Sequence, residues 1–125
     1  MFSRLSRMPA DMKAPRSRRV LGVDPGYDRL GLAVLEGDAS RPTHVWSSCV
    51  LPPKGDKEER LGVVYQSVSD AIREYQPDVL AMETLFFSTN KKTAICVEEA
   101  RGSILEAAGI ASLSVREDVP AQVKL

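Results

Sequence analysis

At 125 residues, 43% of them hydrophobic and 27% charged, the chain is long enough to bury one sizeable core and too apolar to be an intrinsically disordered polypeptide. Basic and acidic residues balance at 17 each, so the net charge does not advertise a polyanionic partner, and no apolar run is long enough to span a membrane. Cys49 and Cys96 lack C-x-x-C spacing and His44 has no second histidine beside it, which excludes a recognisable zinc site or disulfide framework and leaves the cytosol as the default compartment.

Before Val20 the chain carries Arg4, Arg7, Lys13, Arg16, Arg18 and Arg19 against the single acid Asp11, without the apolar core of a secretory signal. Residues 1–18 read as a basic, disordered extension or a mis-chosen start, with Met8 or Met12 as initiators, or else as a phosphate-contacting arm. Folding is predicted to begin near Arg19, where Val20, Leu21 and Val23 form a strand ending at the turn Asp24-Pro25-Gly26. A second strand covers Leu30 to Leu35. After the turn Glu36-Gly37-Asp38, Val45 to Leu51 supplies a third, with His44 just ahead of it. Such short links predict an antiparallel meander.

The period then changes. Leu61, Val64, Tyr65, Val68, Ala71, Ile72 and Tyr75 recur at helical spacing, with Asp56 and Glu59 arranged as a capping box and Pro77 as the stop. Val79 to Met82 is uniformly apolar, as in a strand buried on both faces, and delivers Glu83 at its end. Ser88, Thr89 and Asn90 are candidate N-caps for a helix traced by Ala94, Val97, Ile104, Leu105 and Ala108 and closed by Gly109. Ile110 to Val115 reads as a fifth strand, and Pro120 to Leu125 as the first turns of a further helix. The sum is an α/β domain over residues 19–125: one mixed five-stranded sheet, three strands antiparallel and two parallel, with helices on its faces and the last helix incomplete.

Asp24 and Glu83 each end a strand, and a right-handed crossover makes those strands parallel neighbours. On one face the two carboxylates would lie roughly 5 Å apart. Their repulsion at an effective dielectric near 20 is about 3 kcal/mol, a cost that a divalent cation removes. The alternative is that Asp24 caps its turn and Glu83 lies in solvent.

The segments Leu21 to Gly26, Met82 to Phe87, Asn90, Ala100-Arg101-Gly102 and Gln122-Val123-Lys124 together resemble the RuvC family of Holliday junction resolvases, from about Val20 to the last residue. The opening G-x-D-x-G is shared by other ribonuclease-H-like proteins and by actin-like ATPases, whereas E-x-x-F-F-x-x-N is far more specific. The resemblance implies a ribonuclease-H-like fold and a homodimeric endodeoxyribonuclease. Such an enzyme makes paired symmetric nicks in four-way DNA junctions with Mg²⁺ or Mn²⁺ during recombination and repair, beside the RuvA and RuvB branch-migration proteins. Asp24 and Glu83 match the first two of the family's metal-binding, catalytic carboxylates. Phe86 or Phe87 matches the aromatic presented to bases at the crossover, with Phe86 expected to face DNA and Phe87 the core; Lys124 matches a basic residue near DNA. Asn90 belongs to the matching run, and Lys91 and Lys92 flank the same surface as phosphate contacts or as ordinary solvated lysines. Arg101 interrupts an apolar helical stripe, where it snorkels or pairs with Glu98 or an acid of the site, and Gly102 permits close approach at a dimer or sheet contact.

Family members continue past the Gln-Val-Lys segment to a closing pair of aspartates that nothing in these 125 residues matches, Glu117 and Asp118 lying ahead of that segment. The expectation is therefore an enzyme by family whose residues 1–125 alone have little or no cleavage activity, since half a cage does not fix two ions for in-line attack. Rival readings are a YqgF-type nuclease acting on RNA, a non-catalytic DNA-binding or dimerisation remnant, and an actin-like kinase, for whose second lobe the chain is too short.

Overall fold

A computed structural model describes residues 18–26, 28–38, 40–83 and 90–118. Along the chain run β1 (Arg19–Pro25), β2 (Leu30–Glu36), β3 (Thr43–Val50), α1 (Lys57–Tyr75), β4 (Val79–Glu83), α2 (Lys91–Ile110) and β5 (Ser114–Asp118). The strands form one five-stranded sheet in the order β3-β2-β1-β4-β5. The first three strands pair antiparallel, while β4 lies parallel to β1 and β5 parallel to β4. This is the mixed sheet that the meander and the later strand and helix alternation predict.

Alternation of side chains along each strand divides the sheet into two faces. On one, Leu21 and Val23 of β1, Leu32 and Val34 of β2, and Leu80 and Met82 of β4 meet Val64, Val68 and Ala71 of α1 and Ile104, Ala107 and Ala108 of α2. These residues form the core, and the stacked rings of Trp46 and Tyr75, centroids 4.9 Å apart, tie β3 to the end of α1. Val79, Leu80, Ala81 and Met82 are all buried, as expected of a central strand enclosed on both sides. The other face carries small residues at its centre, Gly22 and Ala33 being paired across β1 and β2 and Gly22 and Ala81 across β1 and β4.

Several boundaries differ from the sequence expectation. Asp56 is the N-cap of α1, but its side chain makes no capping hydrogen bond, so the capping box with Glu59 is not formed; the Asp56 carbonyl accepts from the Arg60 amide at 3.0 Å. At the other end Gln76 adopts φ 47° and its amide donates to the Ile72 carbonyl at 2.9 Å, directly ahead of Pro77. Gly109 does not close α2, which continues through Ile110; Ser112 takes the left-handed position at φ 56°. The Leu113 amide donates to the Ala108 carbonyl at 2.9 Å and the Ser112 amide to that of Gly109 at 3.1 Å, a Schellman motif. Leu113 packs against the core, and that contact offsets the cost of a left-handed serine. Because the helix is longer, β5 begins at Ser114 rather than Ile110. His44 lies inside β3, not before it, with its Nε2 2.9 Å from the Ser47 hydroxyl, and Leu51 falls beyond that strand, exposed.

The predicted turn after β2 is present. Gly37 has φ 103°, and the Asp38 carboxylate accepts from the Ser40 hydroxyl at 2.6 Å and from the Arg41 amide at 2.9 Å. Those donors, the Ser40 hydroxyl first, hold the Asp38 carboxyl below the usual carboxylate range.

Candidate functional site

The register of β1 against β4 pairs Val20 with Val79, Leu21 with Leu80, Gly22 with Ala81 and Val23 with Met82. Asp24 and Glu83 are the next residues on the two strands. In-register residues of parallel strands share a face, and the paired Leu21, Leu80, Val23 and Met82 belong to the helix-packed core, so Asp24 and Glu83 project from the opposite face at one edge of the sheet. Both are exposed.

Space around Asp24 is kept by glycine. Gly31 is its partner across β1 and β2, and a Cβ built there would stand 3.4 Å from the Asp24 Cβ, in van der Waals contact with it. The turn that follows is tighter: the Gly26 amide donates to the Arg29 carbonyl at 2.9 Å, and a Cβ at Gly26 would sit 2.6 Å from that oxygen. The Asp-Pro-Gly run therefore needs glycine for close backbone approach.

On the far side of Glu83 the register continues into β5, where Glu83 pairs with Asp118. Asp24, Glu83 and Asp118 thus occupy matching positions at the ends of three neighbouring parallel strands. Sequence reasoning missed Asp118 in this arrangement, because a fifth strand starting at Ile110 ends too early to carry it. Among the described residues no group of three or more metal-ligating side chains is close enough to hold an ion. Asp24 and Glu83 are oxygen donors over a cleared surface, a donor set that fits a hard divalent cation.

The remaining sequence candidates separate. Phe86, Phe87 and Lys124 lie outside the described residues. Asn90 is the N-cap of α2, its side-chain carbonyl accepting from the Lys92 amide at 2.9 Å and the Thr93 amide at 3.3 Å. Lys91 and Lys92 are exposed in the first helical turn, at the positive end of the helix dipole. Arg101 does pair with Glu98, Nη1 to Oε2 at 3.0 Å, and it also binds Glu117 of β5 through Nη2. It therefore fastens α2 to β5 and does not point at Asp24 or Glu83. Gly102 is exposed, and a Cβ there would meet nothing within 4 Å, which removes the sheet-contact reading for it.

Comparison with known proteins bears directly on this arrangement. The family described as Crossover junction endodeoxyribonuclease RuvC matches residues 20–125. A relative of that name from Alkalilimnicola ehrlichii is 38% identical over 106 residues, which cover 85% of this chain and 64% of the relative. Across the curated relatives the chain spans between 61% and 68% of their length. Among solved structures, T. thermophilus RuvC in complex with a Holliday junction substrate superposes with a TM-score of 0.76 at 30% identity, over 86% of this chain and 68% of that one. The yeast mitochondrial Holliday junction resolvase shares the fold alone, with a TM-score of 0.62 at 15% identity over 94% of this chain and 57% of that one. With a mixed sheet that ends Asp24 and Glu83 at one edge and a match running from the first strand to the last residue, the chain belongs to the RuvC family of crossover junction endodeoxyribonucleases.

Proposed function

We propose that residues 19–125 form the sheet of a structure-specific DNA endonuclease that resolves Holliday junctions by paired symmetric nicks in recombination and repair, and that residues 1–18 are an extension to it. What carries the reading is the parallel register of β1 and β4, in which Asp24 and Glu83 follow the paired Val23 and Met82 on one face. Two carboxylates, oxygen donors both, suit Mg²⁺, with Mn²⁺ as its substitute and two ions in the complete site. When bound, such ions activate the attacking water and stabilise the leaving oxygen of a phosphodiester. Asp24 and Glu83 would hold them, with Gly31 placing no side chain beside Asp24.

Phe86 stacks on a base at the opened crossover while Phe87 packs inward, and Asn90, Lys91, Lys92 and Lys124 meet the phosphate backbone. Two cuts on a two-fold symmetric junction call for a homodimer, for which the exposed face around Gly102 is open. The RuvA and RuvB branch-migration proteins are its partners, and the cytosol its compartment; no helix among the described residues is long and apolar enough to cross a membrane. Two carboxylates do not alone hold two ions for in-line attack, so residues 1–125 by themselves bind the junction and nick it little or not at all.

The test is fluorescence anisotropy with a four-way DNA junction, a linear duplex and a structured RNA, alongside Mn²⁺ binding followed by electron paramagnetic resonance. The junction is expected to bind at least about tenfold more tightly than the duplex. Asp24→Asn and Glu83→Gln are expected to abolish Mn²⁺ binding while junction binding persists. A preference for RNA would favour the YqgF-type reading, and Mn²⁺ binding indifferent to both substitutions would remove the metal centre.

A further inference from the structure

A second feature lies at the same edge of the sheet but on the helix side. Between the turn after β1, the loop joining β3 to α1, and the first turns of α1 and α2 is a cavity of about 530 Å³. That volume is within the roughly 300–1,000 Å³ range of ligand sites. Its walls carry Arg29, Lys54, Lys57, Arg60 and Lys92 against the carboxylates of Asp28 and Glu99. Lys57 is already matched, its Nζ 2.9 Å from Glu99 Oε2. Arg29, Lys54 and Lys92 share that lining, in which Asp28 is the remaining acid among the described residues.

These cations sit on anchored backbone. Arg29 is carried by the turn that the Gly26 amide closes onto the Arg29 carbonyl at 2.9 Å. Lys54 stands on the loop that Arg60 fastens, its Nη1 donating to the Pro53 carbonyl at 2.8 Å. Lys92 stands in the first turn of α2, where a cation opposes the helix dipole unless an anion lies nearby. The start of α1 opens on the same space with no side chain capping its amides from Asp56. Positive charge on anchored backbone, a helix start without its side-chain cap and a cleft of this size together favour phosphate.

We propose that this cavity is a second phosphate-binding site. It takes a backbone phosphate of the nucleic acid that crosses the sheet edge, separate from the phosphate at Asp24 and Glu83. Gly26, which lines the cavity, is only two residues from Asp24, so the cavity and the acidic pair lie at the same end of β1, where one strand of nucleic acid can engage both. The proposal rests on the nuclease reading for the identity of the polyanion, but not for the existence of the site.

The experiment compares the full chain with Lys54→Ala and with the double variant Arg29→Ala/Lys54→Ala. Binding to a plain DNA duplex and to a four-way junction is measured between about 50 and 200 mM salt. Each removed contact is expected to weaken binding to both DNAs and to reduce the slope of log K against log salt by about 1, with thermal melting unchanged. Inorganic phosphate and adenosine monophosphate are titrated in parallel, to separate a backbone phosphate from a free one. An unchanged slope in the double variant overturns the proposal. So does an unchanged slope together with tight nucleotide binding that the double variant loses, which would assign the cavity to a free phosphate. If the chain shows no preference for the junction yet the duplex slope still falls, the site stands and the junction-resolving reading fails.

Discussion

Arg101 illustrates how one side chain joins elements that the sequence leaves unrelated. It occupies the apolar stripe of α2 with only 14% of its side chain exposed, and such burial is tolerated because Glu98 and Glu117 both accept from its guanidinium. The pairing with Glu98 is legible from i, i+3 spacing on a helix, whereas that with Glu117 is not, since it crosses from a helix to a strand whose start the sequence misplaces. Arg101→Ala is expected to cost about 1–3 kcal/mol by urea unfolding, because it removes packing and leaves the Glu117 carboxylate without its donor. Arg101→Met, which restores the apolar stem, is expected to recover part of that loss. Full stability in the alanine variant would mean that the ion pair contributes nothing to holding α2 on β5.

At the level of elements, the two long helices begin in different ways. Asn90 satisfies two amides of α2 with its side chain, while Asp56 satisfies none in α1. Asn90→Ala is therefore expected to destabilise the protein by about 1 kcal/mol, and Asp56→Ala by distinctly less. Chemical denaturation of the two variants side by side checks this, and equal losses would show that Asp56 caps α1 in solution. Both residues have the composition of an N-cap in sequence, and only the local geometry separates them. The ends of the helices carry the same lesson. A glycine near the end of α2 looks like the stop, yet the contact of half-buried Leu113 with the core selects Ser112 for the left-handed position and extends the helix by a residue past Gly109.

For the whole molecule, the homodimer proposed above makes a testable demand on the exposed face of α2. Gly102 lies exposed in the helix with no atom of the described fold near its missing Cβ. Within one copy, Gly102→Ala is expected to stabilise the helix by about 0.5–1 kcal/mol, since alanine has less freedom to lose. If two copies meet on this face, the same change weakens their association. A higher melting temperature together with a lower dimer fraction in sedimentation is the expected pair of outcomes. A higher melting temperature with dimerisation unchanged would move the contact elsewhere.

The sequence by itself determined the kinds of element and their order, because the periods of two and of 3.6 residues are local properties of the chain. It also determined that Asp24 stands at the mouth of a glycine turn and Glu83 at the end of a buried strand. Only the tertiary structure decided that these two acids share a face, that Asp118 holds the matching position on β5, and that Arg29, Lys54 and Lys92 line one cavity. The reason is register: a slip of one residue between distant strands moves every side chain to the other side of the sheet, and no local pattern records that choice. It is made by the joint packing of α1 and α2 against one face, which leaves the acids on the other.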